Sequence, residues 1–188
     1  MYLVVGLGNP GAEYRHTRHN VGFDVVEALA ERAGAGPFRP QKKNLLARAR
    51  LGGEDCLLAL PQTYMNLSGE SVGPLVRFYK LPPERVLVVH DELDFALGQL
   101  RFKPSGGHGG HNGLRSLLGH LPADFVRLRV GIGALGARTR QVDFVLGRFL
   151  PDERAAAAQA VERAAAAVEL AIVRGLQAAM RQVHGPPP

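Results

Sequence analysis

Short apolar runs alternate along the chain with longer segments whose apolar residues recur every three or four positions, so it reads as strands interleaved with helices. The run Tyr2-Leu3-Val4-Val5 predicts a buried strand ending at Gly6. After Asn20, the residues Val21, Val25 and Leu29, flanked by Phe23, Val26 and Ala30, predict a helix over 21–33 that Gly34 stops. "LLARARL" and "CLLAL" on either side of Gly52-Gly53 predict a hairpin. A second helix runs through Val72, Leu75, Val76 and Tyr79, capped by Asn66 or Ser68 and halted before Pro82-Pro83. "RVLVVHDELD", "GQLRFKP" and "DFVRLRVGIG" predict three further strands, and "SGGHGGHNGLRSLLGHL" a glycine-rich loop entering a short helix. From Pro151 the alanine-rich tail carries Val161, Val168, Ile172, Leu176, Met180 and Val183 near one face of a single helix.

Strands interleaved with helices imply an α/β protein: a three-layer α/β/α unit whose mixed, mostly parallel central sheet is covered on both faces. A length of 188 residues suits one such core, so residues 1–184 are assigned to a single domain and 185–188 to a frayed tail. Ligands of such sheets gather beyond the carboxyl ends of the strands. Asn9 and His90-Asp91 fall there, and the glycine-rich loop delivers Asn112 to its helix.

The formal net charge of +6 favours a polyanionic partner. "RFK" and "RLR" place Arg101 with Lys103, and Arg127 with Arg129, two residues apart and therefore on one face of a strand. That face is either a short phosphate-binding stripe or a solvated surface. Arg138 and Arg140, in the cationic loop "GALGARTR", are either further contacts to such a polyanionic partner or solvated, and the solvated reading is favoured. The chain opens without a basic leader, and no apolar run reaches the ~18 residues of a membrane span, so a cytoplasmic protein without a membrane partner is expected. The single cysteine, Cys56, lies in an apolar strand and is expected to be a buried structural thiol.

"GLGNPG" has the G-x-G-x-x-G spacing of a dinucleotide site, but no helix starts at its last glycine and no acidic second strand follows. It predicts instead a tight glycine turn that presents Asn9. His108 and His111, with His90 or Asp91, lack a zinc spacing, and neither a G-x-S-x-G elbow nor a P-loop occurs, so no metal and no cofactor are expected. His19 remains as a base near neutral pH, with Asp91 able to fix its tautomer. Asn9, Asn66 and Asn112 each offer a donor and an acceptor for an amide or an oxyanion.

Together "VGLGNPGAEYRHTRHNVGF", "PQTYMNLSGESV", "VVHDELD", "GGHGGHNGLRS" and "RLRVGIG" resemble, in order and through almost the entire chain, the bacterial-type peptidyl-tRNA hydrolase family. The resemblance implies a phosphorylase/hydrolase-like fold and hydrolysis of the ester between a peptide, or an N-blocked amino acid, and tRNA, which frees tRNA for translation. It implies His19 as catalytic base and Asp91 as its supporting carboxylate. Asn9, Asn66 and Asn112 would position substrate and water, Tyr14 and Met65 would shape the peptide channel, and Lys103 and Arg129 would grip the tRNA 5′-phosphate. Peptidyl-tRNA is the implied partner, for a monomer without an obligate protein partner. The alternative is a module on the same fold that binds structured RNA without turnover.

Overall fold

The computed structural model describes residues 1–184; the tail expected at 185–188 lies outside the described residues. Among the described residues, seven strands form one mixed sheet: β1 (Tyr2–Gly6), β2 (Arg39–Gln41), β3 (Asn44–Leu51), β4 (Glu54–Pro61), β5 (Val86–Glu92), β6 (Leu100–Lys103) and β7 (Val126–Gly131). Their order is β2-β3-β4-β1-β5-β7-β6. The central β4, β1, β5 and β7 run parallel, while β2–β3 and β3–β4 at one edge and β6–β7 at the other pair antiparallel. The helices are α1 (Val21–Arg32), α2 (Ser68–Phe78), α3 (Asn112–Leu118), α4 (Gln141–Val145), α5 (Arg154–Arg174) and α6 (Leu176–Val183).

The alternation of side chains along each strand builds two cores. Val4, Leu58, Val89 and Leu128 face α1 and α5, whereas Leu3, Val5, Leu57 and Val88 face α2 and α3. The three layers expected from the interleaved pattern are therefore present. The hairpin also forms as expected, with Gly52 and Gly53 at φ 55° and 87° between paired Leu51 and Glu54. Two adjacent left-handed residues give a turn whose twist matches that of the strands. Cys56 is buried, and its thiol is pushed up to about 11, chiefly by that burial.

Several local expectations are corrected. Strand β2 has no sequence signal, because its three residues, Arg39-Pro40-Gln41, are all exposed on the sheet edge. Neither Asn66 nor Ser68 caps α2 with its side chain; Ser68 Oγ instead donates back to the Met65 carbonyl at 2.7 Å. The tail is two helices, since Gly175 at φ 90°, ψ 156° breaks the backbone ladder. After α6, His184 Nε2 accepts a hydrogen bond from the Phe102 amide of β6 at 2.9 Å.

"GLGNPG" also has a different physical basis. Of its glycines only Gly11, at φ 111°, needs the left-handed region. A Cβ on Gly6 would run into the Gly22 carbonyl, and one on Gly22 into the Val89 carbonyl and the Leu7 backbone. These two glycines bring α1 against β1 and β5, backbone to backbone. The turn that precedes α1 is thereby seated on the carboxyl ends of those strands.

Gly22→Ala should therefore destabilise the fold by ~2–3 kcal/mol through overpacking against rigid backbone. Gly36→Ala, at a position open to space, should change stability by no more than about 0.5 kcal/mol. Denaturant unfolding of the two variants measures the difference.

Candidate active site

The carboxyl ends of β1 and β5 bring together groups far apart in sequence. Asp91, near the end of β5, is almost wholly buried and accepts two hydrogen bonds from imidazoles. His19 Nδ1 lies 2.8 Å from Asp91 Oδ2, and His111 Nε2 lies 2.7 Å from Oδ1. His19 sits in the short turn Arg18–Asn20 that leads into α1. With Nδ1–H committed to the carboxylate, the neutral ring keeps its lone pair on Nε2, the tautomer a base requires.

His111 is the residue whose role the sequence did not disclose. In the sequence it is weighed only as a metal ligand and set aside for want of a zinc spacing; in the fold it caps α3. Its Nδ1 accepts from the amides of Gly113 at 3.1 Å and Leu114 at 3.3 Å, and so its Nε2 must carry the proton given to Asp91. Both nitrogens are occupied. His90 backs the pair: its ring meets that of His111 edge-on, with centroids 4.9 Å apart, and Nδ1 donates to the Asp91 carbonyl at 2.8 Å. Only the fold could reveal this, because the glycine-rich loop masks the helix start.

Burial by itself would drive the Asp91 carboxyl upward, but the charges and N–H bonds of His19 and His111 hold it far below the usual carboxylate range. Burial works against the His19 imidazolium too, yet Asp91 outweighs it and raises that pKa above 6.5. His90, fully buried and beside His111, is pushed down to about 3 and stays neutral. Ring nitrogens of His19 and His111 and an oxygen of Asp91 lie close enough to share a cation. The donor set fits direct hydrogen bonds better than a metal centre. Each imidazole presents an N–H to the carboxylate, and the remaining lone pair of His111 is engaged by backbone.

The two imidazoles and Asp91 form the floor of a cleft of about 550 Å³. Asn9, after β1, is held at three atoms. Its amide donates to Asn20 Oδ1 and its carbonyl accepts from Asn20 Nδ2, both at 2.9 Å, while its Oδ1 accepts from the Met65 amide at 2.7 Å. The asparagine acceptor is thus spent inside the protein, leaving Nδ2 as the donor that can serve a ligand. Met65 and Asn66 line the cleft from the turn before α2, and Asn112 from the start of α3, where its Oδ1 accepts from Arg115 Nη1 at 3.1 Å. Asn66 and Asn112 are exposed at the rim. An apolar wall comes from Val142, Val145 and Leu146 in and beside α4. Tyr14 does not reach the cleft; it packs edge-on, at 6.4 Å between centroids, against Tyr64, which does.

None of Arg101, Lys103, Arg127 and Arg129 lines this cleft. Antiparallel pairing sets Arg101 opposite Arg129 and Lys103 opposite Arg127. Arg127 does not belong to a phosphate stripe: it is buried, donates to the carbonyls of Ala123, Phe125 and Gly106, and stacks on Phe125. Arg101 is exposed, and Lys103 and Arg129 are half-buried, with Arg129 over the Phe95 ring at 4.8 Å. Arg138 and Arg140 are exposed, as expected of a solvated loop.

The sequence model of the family described as "Peptidyl-tRNA hydrolase" matches residues 3–188. The chain is 52% identical over 185 residues to a protein named peptidyl-tRNA hydrolase from Nocardia farcinica, covering 97% of this chain and 95% of that protein. It is 44% identical over 186 residues to another of that name from Alkaliphilus metalliredigens, covering 98% and 100%. The crystal structure of peptidyl-tRNA hydrolase from Acinetobacter baumannii superposes with a TM-score of 0.91 at 44% identity, covering 97% of this chain and 94% of that one.

The electrostatics give a measurable outcome. His19 should titrate above 6.5 in the intact protein. In Asp91→Asn the opposing effect of burial is left alone and the midpoint should fall below that value. NMR titration of the His19 ring checks both. Because the folded His19 pKa exceeds the unfolded one, its contribution to stability is lost as pH rises through the raised value. The depressed Asp91 pKa makes the pair lose stability as pH falls below about 4, so the pair stabilises most between about pH 4 and 6.5.

Proposed function

The chain belongs to the peptidyl-tRNA hydrolase family, and from that premise we propose that His19 and Asp91 carry the hydrolytic step in the cleft they floor. The protein hydrolyses the ester that joins a peptide to tRNA. The observation supporting this assignment is the 2.8 Å bond from His19 Nδ1 to Asp91, which frees the opposite ring nitrogen as an acceptor.

In the proposed reaction, His19 Nε2 takes a proton from a water as its oxygen bonds to the ester carbonyl carbon. Asp91 stabilises the resulting imidazolium, as its raising of the His19 pKa requires. Asn9 Nδ2, with the side chains of Asn66 and Asn112, donates to the oxyanion or holds the peptide amides. Collapse breaks the bond to the ribose oxygen, which recovers the proton from His19. The peptide's new carboxylic acid gives the water's second proton to solvent and leaves as the carboxylate, and tRNA leaves with a free 3′-hydroxyl. An ester has a reactive acyl carbon and a fair leaving group, so a positioned water and one tuned base suffice.

Selectivity follows from the same groups. A cleft that pairs with a peptide amide disfavours the charged amine of an ordinary aminoacyl-tRNA, which would lose its hydration without compensation. Met65 lines the peptide channel and Tyr14 supports it through Tyr64. Lys103 and Arg129 grip the tRNA 5′-phosphate away from the scissile bond. The protein is assigned as a monomer in the cytoplasm; no helix among the described residues is long and apolar enough to cross a membrane. Turnover, rather than binding of structured RNA alone, is favoured by His19 and Asp91 standing intact and bonded.

Release of an N-blocked amino acid from tRNA tests the assignment. His19→Ala should lower kcat by roughly 10²–10⁴-fold while tRNA affinity is retained; undiminished turnover would remove His19 from the mechanism. Activity should persist in chelator and rise with pH along a limb above 6.5 as His19 deprotonates. Replacing Lys103 and Arg129 by alanine should raise KM, most clearly as salt is varied, and should leave kcat nearly unchanged.

A further inference from the structure

His19 is preceded by Arg18, a charged residue whose guanidinium lies inside the protein with its side chain only 7% exposed. Its contacts run to one place, the end of α4 and the segment that joins it to α5. Nη1 donates to the Phe144 carbonyl at 3.2 Å and Nη2 to Glu153 Oε1 at 3.0 Å. The same carboxylate oxygen accepts from the Leu150 amide at 2.9 Å, and so Glu153 gathers the end of the segment around the cation. The guanidinium lies over the Phe144 ring, 4.3 Å from its centroid, with Phe149 at 5.6 Å. The backbone joins in: the Arg18 amide donates to the Gly147 carbonyl at 2.9 Å, and Thr17 forms an isolated antiparallel bridge with Arg148.

This segment continues directly from the apolar cleft wall formed by Val142, Val145 and Leu146. One buried cation therefore fastens the turn that carries His19 to that apolar wall of the cleft. We infer that Arg18 and Glu153 are positioning residues for the hydrolysis, fixing the separation between His19 Nε2 and the wall against which the acyl group is held. The cation has a single carboxylate partner, so removing that charge leaves a guanidinium that is buried and uncompensated. It must then leave its place, and the turn loses its anchor. Small displacements of a base from its reacting atom reduce rate far more than they reduce binding.

The inference rests on the hydrolase reading above, and the experiment separates the two. Release of an N-blocked amino acid is measured for the wild type and for Glu153→Gln, Arg18→Met and Arg18→Lys, each well below its own melting temperature, alongside affinity for deacylated tRNA. Glu153→Gln preserves shape and removes only the charge, so it serves even where Arg18→Met folds poorly. Glu153→Gln and Arg18→Met should lower kcat by about 10- to 100-fold with tRNA affinity unchanged. Their acid limb should not move, because Asp91 is untouched. Arg18→Lys, which keeps the charge opposite Glu153, should recover part of the loss. Lowered melting temperatures with kcat within twofold of the wild type in the folded variants would make the pair merely structural and overturn the inference. Absence of release by the wild type itself would instead overturn the hydrolase reading.

Discussion

The site depends on one buried carboxylate. Asp91 stands at the end of a central strand, where burial opposes its charge, and it remains an anion because two imidazoles donate to its two oxygens. Each bond fixes something beyond itself. The bond from His19 selects the tautomer with a free Nε2, and the bond from His111 ties the start of α3 to β5, since the other nitrogen of that ring caps the helix. Losing the carboxylate would leave two half-buried rings without their acceptor and the helix entry without its tether. Stability and chemistry thus draw on the same pair of hydrogen bonds, a pattern common where a site is built from polar groups in low dielectric.

Placing that carboxylate beside His19 requires backbone to approach backbone more closely than side chains allow. The contact is made where α1 meets β1 and β5, at Gly6 and Gly22. Without it, the turn bearing His19 would stand further from the end of β5 and a direct bond to Asp91 could not form. The sheet topology does the rest. The chain leaves β1 for β4 on one side and returns to β5 on the other, so Asn9, Met65 and Asp91 converge where strand order switches, as ligand sites in such sheets do.

Much of this was legible in the sequence because it follows from periodicity. The strands that fill the core, the helix after Asn20 and the Gly-Gly hairpin all carry apolar patterns that the structure reproduces. The expected cleft groups also converge, with His19, Asp91, Asn9, Met65, Asn66 and Asn112 lining one cavity. What was hidden lacks a local signal. β2 is wholly exposed, Gly175 interrupts a helix whose apolar spacing continues across it, and His111 becomes a partner of Asp91 only through a crossover of twenty residues. Arg127 misled for a related reason. Alternation predicts which face of a strand a residue occupies, whereas the loop carbonyls that draw its guanidinium inward belong to the tertiary structure.

The polar groups that face a ligand are those left over when the fold has taken its share. His111 has no free nitrogen, because the helix start uses one and Asp91 the other. Asn9 has given its oxygen to the Met65 amide and its backbone to Asn20. His19 has given one nitrogen to Asp91. The result is a cleft in which the free imidazole nitrogen of His19 and the amide donor of Asn9 share the lining with aliphatic side chains. Such a set can accept a proton from water and donate to a developing oxyanion. No thiol takes part, since the single cysteine is buried on β4. The division of hydrogen bonds between structure and ligand therefore supports the proposed attack by water, with the base left free by the bond to Asp91.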